Sequence, residues 1–300
     1  MKTDVENIAC PYCAHIESSH WATENGWSVV KCRKCGFLYC NSRPSQTLRE
    51  QSTQLGIHAA GANLDIVERR VPGKVEIYRR VLGGMFIDVW ERDQPISWID
   101  VGAGYGEIIE AVQKLAPKGS TVLGLEPMQP KLNAARANGL EIIEGYIDES
   151  TPVCQYASVI NIFSHIYDFD AFLQQIRTIL VDSGELFIET GDMSDVHVRG
   201  QLPGELGLPD HVAFASERHL EGFLKRNGFI VVTMERVRTD TFLFAIKTFV
   251  KRMIGRDVKV RLPYTSPYRS IRVRAKKAVS EFGSDGRFST PSLQCGSLCE

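Results

Sequence analysis

No apolar run in this 300-residue chain approaches the length of a membrane span. The nearest, residues 241–250, is interrupted by Lys247. The N-terminal stretch MKTDVENIACPYC lacks the apolar core of a signal peptide. Charge of one sign is also missing. The net charge of −1 gives no bulk argument for a nucleic acid or a membrane as partner. A cytoplasmic protein is the expectation, and there cysteines serve as metal ligands or free thiols rather than disulfides. The length suits one large domain with a small one beside it.

Two Cys-x-x-Cys pairs stand near the start. Cys10 and Cys13 are followed, eighteen residues later, by Cys32 and Cys35. Zinc takes a tetrahedron of thiolates, and each pair offers two from one short knuckle. The expectation is a zinc ribbon over residues 1–45, with residues 27–31 and 37–39 as paired strands and Gly36 in a tight turn. So small a unit has little core without its metal. Cys40, His15 and His20 are read as bystanders, because a closed structural site needs four ligands. Residues 46–95 read as linker and covering helices. A short helix is expected near 63–70 and a longer one over 74–92, with a bend at Gly83-Gly84.

From residue 96 the chain alternates strand and helix. Strands are expected at 96–101, 121–125, 140–144, 157–162 and 185–189, with helices at 107–115, 129–138 and 169–180 between them. This alternation implies a parallel sheet with helices on both faces. A helix from Ser216 to Asn227 follows, then a hairpin of residues 229–237 and 241–248. Residues 249–300 read as a basic, partly flexible tail holding Cys295 and Cys299. A solvated surface is the plainer reading of its lysines and arginines. Weak docking to a polyanion or an acidic membrane surface is the sharper one.

The first strand runs into Asp100-Val101-Gly102-Ala103-Gly104-Tyr105-Gly106-Glu107. A dinucleotide site wants a third glycine where Glu107 stands. Asp100 could accept a hydrogen bond from an ammonium group and is poorly placed for a pyrophosphate. Glu126, about twenty residues beyond the turn, could accept from ribose hydroxyls. A ribose and a cationic tail without phosphate describe S-adenosylmethionine.

These residues resemble the first two motifs of class I S-adenosylmethionine-dependent methyltransferases, over roughly residues 96–248. The resemblance implies an α/β fold with a Rossmann-like seven-stranded methyltransferase sheet, preceded here by the four-cysteine ribbon. It implies donor contacts from Asp100, Gly102, Ala103, Gly104, Gly106, Glu126 and Pro127. Further contacts would come from Tyr146 and Ile147 beside the adenine and from Asn161 and Ile162 at the end of the fourth strand. Many relatives carry Glu-His where this chain has Ser164-His165. A ribbon ahead of such a domain resembles bacterial small-molecule and sugar methyltransferases. The segment 208–216 resembles a recurrent acceptor-side segment of these enzymes.

The expected reaction is methyl transfer to a small-molecule or saccharide acceptor at oxygen, with His211 and His165 as candidate bases. His197 and His219 are weaker candidates, His219 being placed on the exposed face of its helix. Tyr146, Phe163 and Tyr167 are read as contacts to adenine or substrate, or as core. Two alternatives are an RNA methyltransferase gripping its substrate with ribbon and tail, and a catalytically silent donor-binding protein.

Overall fold

A computed structural model of the chain describes residues 5–55, 70–202, 205–238, 242–256 and 268–279. The N-terminal part holds β1 (Val5–Glu6), β2 (Ser18–Glu24), β3 (Trp27–Cys32), β4 (Leu38–Asn41) and β5 (Arg43–Pro44). β2 and β3 form a hairpin closed by Asn25-Gly26, both at positive φ, as a two-residue turn of this kind requires. β4 pairs antiparallel with β3, as the sequence suggested.

Helix α1 (Gln46–Leu55) follows. It was not foreseen, because its polar sequence shows little apolar periodicity. The short helix expected near 63–70 lies outside the described residues save Arg70, which is not helical. The long covering helix is real but divided into α2 (Pro72–Met85) and α3 (Ile87–Trp90). The break falls at Phe86 and not at the glycine pair. Phe86 leaves helical geometry (φ −120°, ψ 29°) and is fully buried, packing edge-on to Trp98.

The large sheet begins with β6 (Ser97–Val101) and continues α4 (Glu107–Gln113), β7 (Thr121–Glu126), α5 (Gln129–Ala137), β8 (Ile142–Glu144), β9 (Cys154–Ile160), α6 (Phe169–Ile179) and β10 (Leu180–Gly191). Then come β11 (Ala213–Phe214), α7 (Glu217–Arg226), β12 (Phe229–Arg238), α8 (Phe242–Met253) and β13 (Tyr268–Lys277). Seven strands lie in the order β12-β13-β10-β9-β6-β7-β8. β6 to β10 are mutually parallel, and β13 runs antiparallel to both its neighbours.

The expected terminal hairpin forms with a different second strand. Residues 242–253 are helix α8, and the partner of β12 is β13, inside the stretch read as a tail. A continuous apolar run such as Phe-Leu-Phe-Ala-Ile does not discriminate strand from helix by periodicity. In β13, buried Ile271, Val273 and Ala275 alternate with Arg272 and Arg274, which is strand periodicity carried on cations. Those cations are consumed internally. Arg272 pairs with Glu189 at 2.6 Å, and Arg274 with Glu185 and Asp88, both at 2.5 Å. Lys277 donates to the Arg177 and Leu180 carbonyls. This part of the basic segment is sheet.

Two cores flank the sheet. Trp98, Ile109, Leu132 and Phe86 fill one face. Leu173, Ile176, Leu220 and Phe223 of α6 and α7 fill the other, joined by Cys10, Cys32, Phe37 and Tyr39 of the N-terminal part. Sharing a core makes the ribbon an integral layer rather than a tethered module. A third cluster joins Val29 and Leu38 to Leu206, Leu208 and Val212.

Candidate active site and cysteine cluster

β7 and β9 leave β6 on opposite sides, so strand order reverses there and a crevice opens at the strands' carboxyl ends. The glycine turn lies at its floor. Gly102, Gly104 and Gly106 take φ of 74°, 56° and 79°, a left-handed conformation costly for other residues. At Gly106 an added Cβ would meet the Leu140 side chain at 2.2 Å, and at Gly102 it would meet Ile162 at 2.7 Å. At Gly104 it would meet nothing within 4 Å, so this backbone faces open space. Gly102 and Ala103 donate to the Leu125 carbonyl, tying the turn to β7.

Glu126 ends β7. One carboxylate oxygen accepts from Gly104 N at 2.6 Å and the other from Met128 N at 2.8 Å. Burial raises its pKa against those two hydrogen bonds. Pro127 follows between Glu126 and Met128.

Asp100, 2 % exposed, accepts from Ser158 Oγ at 2.5 Å. Trp98 Nε1 donates to the same hydroxyl at 2.9 Å, so Ser158 must spend its proton on Asp100. Burial pushes the Asp100 carboxyl up to about 7, with Glu126 and Glu107 adding repulsion against the Ser158 bond. Sequence reasoning missed Ser158. Its signal lay in the register, since the parallel pairing of β6 with β9 sets Ser158 beside Asp100.

The loops after β8 and β9 border the crevice. Ile147 is buried and Tyr146 is 42 % exposed. Asn161 takes φ of 56°, and its N–H donates to the Glu189 carbonyl. Ile162 packs on Gly102, so the end of the fourth strand meets the glycine turn. Phe163 is core, touching Phe169 at a ring separation of 4.5 Å.

His165 and His211 meet although they are 46 positions apart, with ring centroids 4.8 Å apart and edge to face. His165 Nδ1 lies 3.0 Å from the Asp210 carbonyl, and His211 Nδ1 lies 2.7 Å from the Leu206 carbonyl. A carbonyl only accepts, so each ring carries its proton on Nδ1 and its lone pair on Nε2. Burial pushes His165 down to about 3, with the His211 and Arg49 charges acting in the same sense. Val212 N donates to the Ser164 carbonyl at 2.7 Å, which fastens the two loops together.

The other histidines do not join them. His197 is exposed, and its carbonyl accepts from Trp21 Nε1. His219 is not on the exposed face expected for it. It is 4 % exposed, and its Nε2–H donates to the Cys35 carbonyl at 3.1 Å. Burial pushes it down to about 4. The apolar face of α7 packs on the ribbon, and His219 falls on that face. A cleft of about 360 Å³ beside it is lined by Lys31, Met193, Phe214 and Arg218, away from the glycine turn.

The Sγ atoms of Cys10, Cys13, Cys32 and Cys35 all lie within 4.8 Å of one another, with Cys10–Cys35 at 3.5 Å and Cys13–Cys32 at 3.6 Å. Four thiolates about 2.3 Å from one zinc ion stand roughly 3.8 Å apart, so the donor set fits a tetrahedral metal. Each knuckle is followed by a left-handed residue, Ala14 (φ 57°) and Gly36 (φ 75°). Cys40 is buried elsewhere and is not part of the cluster.

A parallel sheet with one antiparallel strand set next to its edge, a glycine turn after its first strand and an acidic residue ending the second define an S-adenosylmethionine-dependent methyltransferase. The comparison with family models agrees. Residues 77–234 match the family model described as "Methyltransferase domain", and the chain belongs to that family. A SAM-dependent methyltransferase from Archaeoglobus fulgidus shares the fold, with a TM-score of 0.51 at 16% identity, over 68% of this chain and 94% of that one. A magnesium protoporphyrin IX methyltransferase from Synechocystis, solved with bound SAH, gives a TM-score of 0.45 at 12% identity, over 69% of this chain and 84% of that one. No curated protein sequence matches significantly.

Proposed function

We propose that this methyltransferase acts on an oxygen of a small-molecule or saccharide acceptor, with His211 or His165 as the base. The observation that carries the reading is the histidine pair brought together by the loops after β9 and before β11, both rings held as Nδ1–H tautomers with the lone pair on Nε2. When bound, S-adenosylmethionine supplies a methyl group already activated by its sulfonium charge. The chain's residues then have to orient the acceptor, exclude water and take its proton. Asp100 would accept from the donor ammonium and Glu126 from the ribose. Each Glu126 oxygen keeps a lone pair beyond its backbone bond. Gly102, Ala103, Gly104 and Gly106 would let the donor lie against the backbone. Pro127, Tyr146, Ile147, Asn161 and Ile162 would line its nucleoside. We infer that the four cysteines hold a structural zinc ion, since the set is closed and its thiols are packed into the core.

The RNA reading loses support, because Arg272 and Arg274 of β13 are paired within the sheet. A product screen with isotope-labelled donor against hydroxylated metabolites, sugars and RNA tests the proposal. Label in a small hydroxylated product supports it. Label entering RNA alone, or only nitrogen or carbon, refutes it.

A further inference from the structure

The ribbon has a place in the catalytic machinery that its cysteines do not disclose. We propose that Glu24, at the tip of the β2–β3 hairpin, is a positioning residue that sets the tautomer and orientation of His211. Glu24 reaches across to the loop after β10. Its carboxylate accepts from the backbone N–H groups of Leu206 and Gly207, both at 2.7 Å, and of Leu208 at 3.3 Å. Arg199 lies 3.7 Å away on the same carboxylate. The neighbouring Asn25 Nδ2 donates to the Leu208 carbonyl at 2.9 Å. Three N–H groups on one carboxylate orient the peptide planes from 205 to 208, and charge-assisted bonds are the stronger kind.

The consequence falls on His211. The Leu206 carbonyl, in the same peptide plane as the clamped Gly207 N–H, receives His211 Nδ1, and the Gly207 carbonyl receives His211 N at 3.0 Å. Gly207 takes φ of 78°, and a Cβ there would meet His211 Nδ1 at 2.9 Å. On the far side of the imidazole the chain is gripped again. Cys40 N of the ribbon donates to the Val212 carbonyl at 2.8 Å, and β11 pairs with β4. The ribbon therefore holds the histidine loop from both sides, and β11 makes that loop the fourth strand of the ribbon's sheet. This account rests on His211 acting in the reaction, but its test does not need the acceptor.

The test is nitrogen-15 NMR of the histidine rings in the full chain, with the donor product S-adenosylhomocysteine bound. Wild type should show His211 as a single Nδ1–H tautomer. Glu24→Gln should give a tautomer mixture, and Glu24→Asp should restore part of the wild-type signal. Affinity for S-adenosylhomocysteine should stay within about twofold. Asn25→Ala is the milder second variant and should shift the same resonance in the same direction, which covers a Glu24→Gln chain that does not fold. An unchanged His211 tautomer in the folded variants overturns the proposal, as does an equal change at His165 and His219. Failure of His211 as a base reads out separately, as full methyl transfer by His211→Gln.

A different observation concerns the acceptor. We infer that Arg49 and Tyr167 form a subsite for an anionic oxygen group, a carboxylate or a phosphate, on the acceptor. Arg43 and Arg49 both lie over the Tyr167 ring, at 4.1 and 4.7 Å from its centroid. Arg43 is neutralised by Glu6 at 2.7 Å. Arg49 makes no ion pair among the described residues, and its buried Nε and the buried Tyr167 hydroxyl have no hydrogen-bond partner there. Two such orphaned groups side by side are rare in a folded protein and call for a ligand. Tyr167 stands two residues from His165 in the chain, and the Arg49 charge is felt at both His165 and Tyr146. The probes are sodium phosphate and sodium acetate, titrated at constant ionic strength into the protein bound to S-adenosylhomocysteine, with arginine Nε–H and tyrosine ring resonances followed. A saturable shift of Arg49 and Tyr167 with either anion, lost in Arg49→Gln, supports the subsite, and the stronger anion names the group. No saturable shift with either anion, or the same Tyr167 shift in Arg49→Gln, overturns it.

Discussion

Asp100 is a carboxyl group held where its charge is costly. Its ordinary value of 3.8 is raised to about 7 because it is wholly buried, with Glu126 and Glu107 nearby and only the Ser158 hydroxyl in compensation. A displacement of that size corresponds to about 4 kcal/mol against the ionised form. The sign follows from linkage. Below about pH 4 both folded and unfolded chains carry the proton, so Asp100 makes no difference to stability. Between about 4 and 7 the folded state keeps a proton that the unfolded state has lost, and stability falls as pH rises. Above about 7 the full penalty applies. Asp100→Asn removes it, so this variant should be more stable than wild type at pH 8, by up to about 4 kcal/mol, and equal to it near pH 4. Urea unfolding of the ligand-free protein across this range measures the difference. The same substitution should weaken donor binding, because the donor ammonium would draw the carboxyl into its ionised form. Wild-type binding at pH 6 should release a proton, seen by calorimetry in buffers of different ionisation enthalpy, and Asp100→Asn should not. A variant no more stable than wild type at pH 8, or one that binds donor with full affinity, would refute the reasoning.

Further outcomes follow from the geometry. Gly106→Ala should lose about 1–2 kcal/mol of stability from left-handed strain, with displacement of Leu140 added. Gly104→Ala should keep its tertiary packing and lose donor affinity, which thermal shift with S-adenosylhomocysteine separates; full donor affinity would argue against this backbone lying beside the donor. Removing metal with a strong chelator, or replacing Cys13 by Ser, should lower the melting temperature cooperatively for the whole chain, because the ribbon shares the core of α6 and α7. Elemental analysis should find about one zinc per chain. His211→Gln and His165→Gln should each retain donor binding, and the true base should lose about 10²–10⁴-fold in rate. With His165 pushed down to about 3, an activity inflection near pH 6.5 would point away from it.

The sequence carried the site unevenly. The glycine turn, Asp100 and Glu126 were legible because a short turn between strand and helix is a local event. Its residues are adjacent in sequence and need no tertiary partner to be recognised. The four cysteines were legible for the same reason, as two knuckles. The last strand was not. Read as charge, residues 268–277 are a basic segment; read as period two, Ile271, Val273 and Ala275 line one face of a strand. Nothing local decides between these readings, because Arg272 and Arg274 become inward-compatible only when Glu189, Glu185 and Asp88 come to meet them. His219 shows the same limit. It was expected on the exposed face of its helix, and the ribbon packs there instead.

What the sequence determined by itself is the glycine turn with its flanking carboxylates and the two cysteine knuckles, both set by short-range backbone geometry and the chemistry of a few adjacent side chains. The meeting of the two histidines was decided by tertiary structure. His165 and His211 come from loops 46 positions apart, and their meeting depends on the parallel order of β9 and β10. The clamp of Glu24 on residues 206–208 spans more than 180 positions. Contacts of that separation are paid for in loop-closure entropy and returned only by the assembled core, so no window of sequence contains them.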